Sequence, residues 1–147
     1  MLKDNSKIYL DKYSKVLITG GCGFIGSAMI RRLLLQSNCI IYNLDKVGYA
    51  SDETSIQNVL KKIKDFSRYK FINLDLSKSS KTLKILKEIK PDYIFHFAAE
   101  SHVDRSIDSP EHFISSNIIG TFNLLEAVRS HFDGLSNERK NIFRFHH

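Results

Sequence analysis

Short β-rich apolar runs recur along the chain at 15–19, 39–44, 69–74, 92–98 and 141–145, and the stretches between them carry apolar residues at helical spacing. Strands that alternate with helical segments predict an α/β fold: a Rossmann-like, doubly wound parallel sheet of about five strands with right-handed crossovers. Residues 27–35 read as the first helix. Ile56, Val59, Leu60 and Ile63 mark the second crossover helix, after a loop over 49–58 that is longer than the usual connection. Pro91 breaks the chain before the fourth strand, because the residue preceding a proline is pushed out of helical conformation. The helix after that strand opens at Ser109 and Pro110, a capping residue followed by a residue suited to the first helical position. Its apolar stripe runs through Ile114, Ile118, Leu125, Val128 and Phe132, with Thr121 at the small step, so that face is expected to be buried. Gly120 inside the helix costs about 1 kcal/mol relative to alanine, which predicts a close approach by another backbone or a ligand.

Between the first strand and the first helix stand Gly20, Gly21, Gly23 and Gly26, within the run from Thr19 to Gly26. In such a turn the glycines give a tight bend, room for a pyrophosphate to reach backbone N–H groups, and close packing of helix on strand. An anion there sits on a helix N-terminus, favoured by unpaired N–H groups and the helix dipole. The second strand ends in Asp45, 19 residues beyond Gly26. A carboxylate at that tip can accept hydrogen bonds from both ribose hydroxyls of an adenosine, which favours NAD over NADP, while Lys46 beside it tempers the preference. The plainer alternative is a glycine turn with a solvated strand end. The complete order of strand, loop, helix, strand and acid argues for the dinucleotide.

Length and composition narrow the picture. The 147 residues suit one domain, read as a polar leader over 1–14 and a cofactor-binding domain over 15–147. The net charge of +6 comes mostly from lysines on presumed helix faces, without interleaved aromatics, so no nucleic-acid partner is expected. Cys22 and Cys39 form neither a CxxC pair nor a disulfide framework, and no spacing of histidine, cysteine and carboxylate resembles a metal site. No signal peptide or membrane-length apolar run is evident; a cytoplasmic protein without membrane partners is expected.

The glycine loop, Asp45 and the run from His96 to Ser106, with Ala98-Ala99-Glu100-Ser101-His102-Val103-Asp104-Arg105-Ser106 at its centre, resemble the extended short-chain dehydrogenase/reductase superfamily. Within it they are most similar to the dTDP-glucose 4,6-dehydratases. Asp108-Ser109-Pro110, the run from Ser116 to Thr121 and that from Leu124 to Ala127 continue the register, so the resemblance covers nearly all of 15–147. It implies NAD as cofactor, with Gly20, Gly23 and Gly26 shaping the loop and Phe24 and Ile25 against the pyrophosphate. Asp45 would hold the ribose and Lys46, Val47 and Gly48 would flank the adenosine. Asp75 and Leu76 would contact adenine. Phe97, Ala98, Ala99, Glu100 and Ser101 would lie beneath the cofactor, Ser101 also reaching the sugar-nucleotide substrate. Ser116 stands where such enzymes usually carry threonine and keeps the hydroxyl. Other readings stand beside these: Asp75 as the cap of a turn, Asp104 with Arg105 as an exposed pair worth under about 1 kcal/mol, Glu100 or His102 as acid or base, and His96 as a satisfied core histidine.

The family's reaction starts from a tyrosine and a lysine four positions apart on a helix, which take a proton from the sugar 4-hydroxyl as hydride passes to NAD; an Asp-Glu pair then drives loss of water, and the hydride returns. Tyr42 and Lys46 have that spacing but lie along a strand, where four residues span about 13 Å. The family's own pair and its Thr-Asp-Glu run belong further along than His147, so no catalytic residue is expected in this chain. Phe145-His146-His147 then reads as a fifth strand cut mid-course, with a purification-tag remnant as the alternative. The implied whole is a homodimeric lyase acting on dTDP-glucose in deoxysugar synthesis. An NAD-dependent sugar-nucleotide epimerase or decarboxylase, and an NAD-binding module without catalysis, remain alternatives.

Overall fold

The computed structural model describes residues 10, 13–49 and 51–147, so most of the expected leader, residues 1–9, 11 and 12, lies outside the described residues. In chain order the elements are β1 (Lys15–Thr19), α1 (Phe24–Gln36), β2 (Ile40–Asp45), α2 (Thr54–Ile63), β3 (Tyr69–Asn73), α3 (Ser79–Ile89) and β4 (Tyr93–His96). There follow α4 (Val103–Asp108), α5 (Pro110–Phe113), a π-helical segment (Ile114–Gly120), α6 (Thr121–Asp133), α7 (Asn137–Ile142) and β5 (Arg144–His146). The five strands form one parallel sheet in the order β3-β2-β1-β4-β5, the Rossmann-like arrangement expected. The chain leaves β1 in one direction through β2 and β3, then returns to β4 on β1's other side. That reversal opens a crevice at the carboxyl ends of β1 and β4.

Strand geometry sends successive side chains to opposite faces, so a central strand covered by helices on both sides must be apolar at every position. In β1, Val16 and Ile18 pack with Ile41 against Ile30, Leu33 and Leu34 of α1 and Ile56 and Leu60 of α2. Leu17 faces the other layer with Leu44 and Ile94, against Leu86 and Ile89 of α3 and Leu124, Ala127 and Val128 of α6. Among the described residues no helix is long and apolar enough to cross a membrane.

Two boundaries and one buried face depart most from the sequence expectation, and α1 begins at Phe24, three residues before its expected start. The loop ends earlier than residue 58, because α2 begins at Thr54. Asp52 Oδ1 accepts from the Thr54 N–H at 2.8 Å, and the Glu53 carbonyl accepts from Ile56 and Gln57, which starts the helix in time to bury Ile56. Residues 141 and 142 belong to α7 rather than a strand, since Ser136 caps the Arg139 N–H and Glu138 occupies the first turn. The third difference concerns the expected stripe. Ile114, Ile118, Leu125 and Phe132 are exposed, and the buried face of α6 carries Gly120, Leu124, Ala127 and Val128. Periodicity marks an apolar face without saying which of two will be covered. Here the wider π-helical turns shift the register between α5 and α6, and the small residues win because they let the helix close on the sheet. A Cβ on Gly120 would lie 3.2 Å from the Leu76 Cβ, the close approach its helical position predicts.

His96 is the core histidine its strand position suggests. It is buried, its Nδ1 lies 2.6 Å from Thr19 Oγ1 and its Nε2 lies 3.0 Å from Thr121 Oγ1, so one ring joins β1, β4 and α6. Burial, helped by the nearby His147, pushes its pKa down from 6.5 to about 4. The neutral ring is therefore the form the fold favours. Its contribution is complete above pH about 6.5 and is lost as pH falls toward 4, a change on the order of 3 kcal/mol. Urea midpoints followed from pH 7 to pH 4 should fall more steeply for the native chain than for His96→Gln; parallel curves would contradict this.

Candidate functional site

The turn between β1 and α1 is fixed by steric exclusion. Gly20 has φ +70°, and a Cβ there would meet the Ala98 backbone nitrogen at 2.6 Å. A Cβ on Gly26 would stand 2.2 Å from the Gly20 carbonyl oxygen and 2.7 Å from the Gly21 Cα, so α1 reaches the end of β1 only as glycine against backbone. The Gly20 N–H donates to the Leu44 carbonyl, the Gly23 N–H to the Gly20 carbonyl, and the Ser27 N–H to the Gly23 carbonyl. No side chain caps α1. Its first-turn N–H groups have no acceptor within the helix, and Phe24 is 92% exposed beside them. That end of the turn suits an anion.

Asp45 lies at the tip of β2, largely buried. Its Oδ2 accepts from the Cys22 N–H at 2.9 Å, and its Oδ1 accepts from the Val47 N–H at 2.8 Å and the Ser51 hydroxyl at 3.2 Å. A carboxylate has about four acceptor positions. One is left for a ligand, and the long Ser51 contact is the easiest to exchange for a second, so a vicinal diol fits. Ser51 is held in turn by the Gly48 N–H at 2.9 Å, and the Asp52 N–H donates to the Cys22 carbonyl, which folds the loop after β2 over the glycine turn. Burial and the Asp45 carboxylate push the Cys22 thiol up to about 12, so it carries no thiolate chemistry at neutral pH.

Across from Asp45, Lys46 Nζ pairs with Glu100 Oε1 at 2.6 Å and donates to Ser116 Oγ at 2.6 Å. Asn117, in the π-helical segment, clasps the Glu100 backbone: its Oδ1 accepts from the Glu100 N–H at 2.8 Å and its Nδ2 donates to the Glu100 carbonyl at 2.9 Å. Asp75 Oδ1 accepts from the Ser77 N–H at 2.8 Å, so it caps a turn and lines the cleft at once. Asn123 Nδ2 donates to the Leu76 carbonyl at 2.9 Å and holds the same segment from α6.

These groups line one cleft of about 710 Å³ of empty space, open solvent at its mouth included. It brings together Gly20, Gly23, Asp45, Lys46, Gly48, Asp75, Leu76, Phe97, Ala98, Ala99, Glu100 and Ser116, all singled out in the sequence. Phe24 and Ile25 lie exposed at the start of α1, Gly26 is buried under the turn, Val47 points outward with φ 56°, and Ser101 is exposed beyond Glu100; these five are not in its lining. Leu44, Tyr49, Ser51 and Leu74 line it without having been picked out. Ser51 had one legible sign, a hydroxyl six residues past the acid in an unusually long loop. Asn117 had none, because its role depends on where the π-helical segment lands. His102 is exposed, edge-on to the Tyr49 ring at 6.2 Å. Tyr42 and Lys46 have separate surroundings: the Lys70 ammonium stands 5.3 Å from the Tyr42 ring, while Lys46 reaches Glu100.

A family model described as GDP-mannose 4,6 dehydratase matches residues 17–147. The dTDP-glucose 4,6-dehydratase of Salmonella typhimurium is 44% identical over 133 residues, 90% of this chain and 36% of that protein. The chain thus spans about a third of the length of the curated relatives it matches. Among solved structures, a dTDP-glucose 4,6-dehydratase of Streptomyces venezuelae with NAD and TYD bound aligns with TM-score 0.67 at 34% identity, over 80% of this chain and 36% of that one. The UDP-Glc/GlcNAc 4-epimerase of Campylobacter jejuni aligns with TM-score 0.70 at 30% identity, over 80% of this chain and 34% of that one.

Gly26, crowded by backbone in the glycine turn, and Gly48, open in the following loop, make a paired test. Gly26→Ala forces a Cβ into backbone and should cost about 2–3 kcal/mol in urea unfolding. Gly48→Ala, with nothing within 4 Å of the added methyl, should stay within about 0.5 kcal/mol of the native chain. Equal costs would contradict the packing described.

Proposed function

Because the chain belongs to the GDP-mannose 4,6 dehydratase family, we propose that it forms the NAD-binding part of a dTDP-glucose 4,6-dehydratase. One observation carries the cofactor reading: Gly23, at the uncapped start of α1, and Asp45 line one cleft, an anion site and a diol acceptor in the same crevice. Pyrophosphate would lie on the first turn of α1, near Gly23, Phe24, Ile25 and the buried Gly26. The adenosine ribose would take the acceptor positions of Asp45, between Val47, Gly48 and Ser51. Adenine would rest against Asp75 and Leu76, and the rest of the cofactor would run past Phe97, Ala98 and Ala99 toward Glu100 and Ser101. When bound, the nicotinamide ring supplies the hydride acceptor; this chain's residues bind and orient it.

The fold does not separate dehydratase from epimerase, since both kinds of solved structure align about equally well. The sequence favours the dehydratase: relatives that are 42–46% identical over 90% of the chain carry the dehydratase name, and the run from Ala98 to Ser106 supports that register. We assign no catalytic residue to this chain, and dTDP-glucose as the substrate of the whole enzyme, with Ser101 as a contact. The homodimer expected of the family has support in an exposed stripe, Ile118 of the π-helical segment with Phe122 and Leu125 of α6, the first two about 60% exposed.

Calorimetric titration with NAD should give saturable binding at one site. Asp45→Asn, which keeps the shape and removes the charge, should weaken it about tenfold with an unchanged far-UV spectrum; unchanged affinity would remove Asp45 from the site. Incubated with dTDP-glucose and NAD, the 147-residue chain should form no 4-keto-6-deoxy product, whereas the gene product isolated from its own source should form it. Interconversion of UDP-sugars by that product would replace the dehydratase reading with the epimerase one.

A further inference from the structure

Asp45 and Lys46 are neighbours at the tip of β2 and pull the cofactor preference in opposite directions. The carboxylate repels a phosphate on the ribose 2′ oxygen, and a free ammonium beside it would attract one. Among the described residues, Lys46 pairs with Glu100 and not with Asp45. Two of its three N–H donors are engaged, one by Glu100 and one by Ser116, each at 2.6 Å. The pair is half-buried, so it is screened less than a surface pair. The residue that carries its acidic partner is also held in place: Asn117 grips both backbone polar groups of Glu100, which fixes the point from which the carboxylate reaches Lys46.

We infer that Glu100 determines the choice between NAD and NADP, by holding the Lys46 ammonium across the cleft, neutralised, so that Asp45 alone faces the ribose 2′ position. The inference rests on the dinucleotide reading above. Glu100 acts through Lys46 and is a positioning residue. With Glu100 in place the Lys46 charge is answered across the cleft, and the net negative charge facing the ribose is that of Asp45. With Glu100 neutral the Lys46 charge is unanswered, and the lysine can swing to a 2′-phosphate, as a basic residue does in proteins that take NADP. Ser116, a neutral hydroxyl, orients Lys46 without cancelling its charge.

The test is a set of binding titrations with NAD and with NADP on the native chain, Glu100→Gln, Lys46→Met and the double variant. The native chain should prefer NAD. In Glu100→Gln the ratio of NADP to NAD affinity should rise about tenfold, the scale of one added charge at a partly open site. In Lys46→Met the ratio should not rise, and in the double variant it should return to that of Lys46→Met, because the agent of the gain is then missing. An unchanged ratio in Glu100→Gln overturns the inference, and so does a rise that persists in the double variant. A native chain that binds neither dinucleotide overturns the cofactor reading itself, an outcome distinct from NAD binding with an unmoved ratio.

Discussion

The architecture of the cleft depends on one close approach, that of the start of α1 to the end of β1, where Gly26 lies against the carbonyl of Gly20. No side chain fits between them. This contact aims the first turn of α1 at the crevice between β1 and β4 and lets the Gly20 N–H bond the Leu44 carbonyl at the end of β2. It also brings the Cys22 N–H to the Asp45 carboxylate. The helix terminus and the strand tip are thereby joined through the four-residue loop 20–23, and the cleft inherits its geometry from that junction. The two apolar layers beneath supply most of the folding free energy, yet they would tolerate other loops. The glycines decide which loop it is.

What could be read in the chain beforehand follows the range of the forces involved. β1, β2, the turn and Asp45 were legible because their signals are local: a nearly continuous buried run of five or six residues, glycine where a Cβ clashes, an acid at a strand tip. The stripe through Ile114, Ile118 and Leu125 misled because α5, the π-helical segment and α6 present two apolar faces, and sheet packing chose the one with Gly120 and Ala127. The early start of α2 turned on hydrogen bonds to Asp52 and Glu53, and α7 on the capping oxygen of Ser136. Asn117 and Ser51 gain their roles only when distant segments meet. No pattern of neighbours announces them.

Charge in this molecule works at two ranges. The excess of lysine, spread over helix faces, makes a diffuse positive field that favours any anion and distinguishes none. Inside the cleft the balance is local and nearly closed: Asp45 is tied by N–H and hydroxyl donors, and Lys46 and Glu100 answer one another. Attraction to the protein and discrimination within the cleft are therefore separate properties, carried by different residues.

The donors around Asp45 have a bearing on how tightly anything can be held there. Cys22, Val47 and Ser51 immobilise that carboxylate before a ligand arrives, so the entropy of fixing it belongs to folding rather than to association. Preorganisation of this kind makes affinity a property of the latch as well as of the contact. When the Ser51 hydroxyl leaves Asp45, the acceptor loses part of its fixed direction although the strand tip that carries it stays in place. The residence time of a bound molecule then depends on how long these three donors hold the carboxylate.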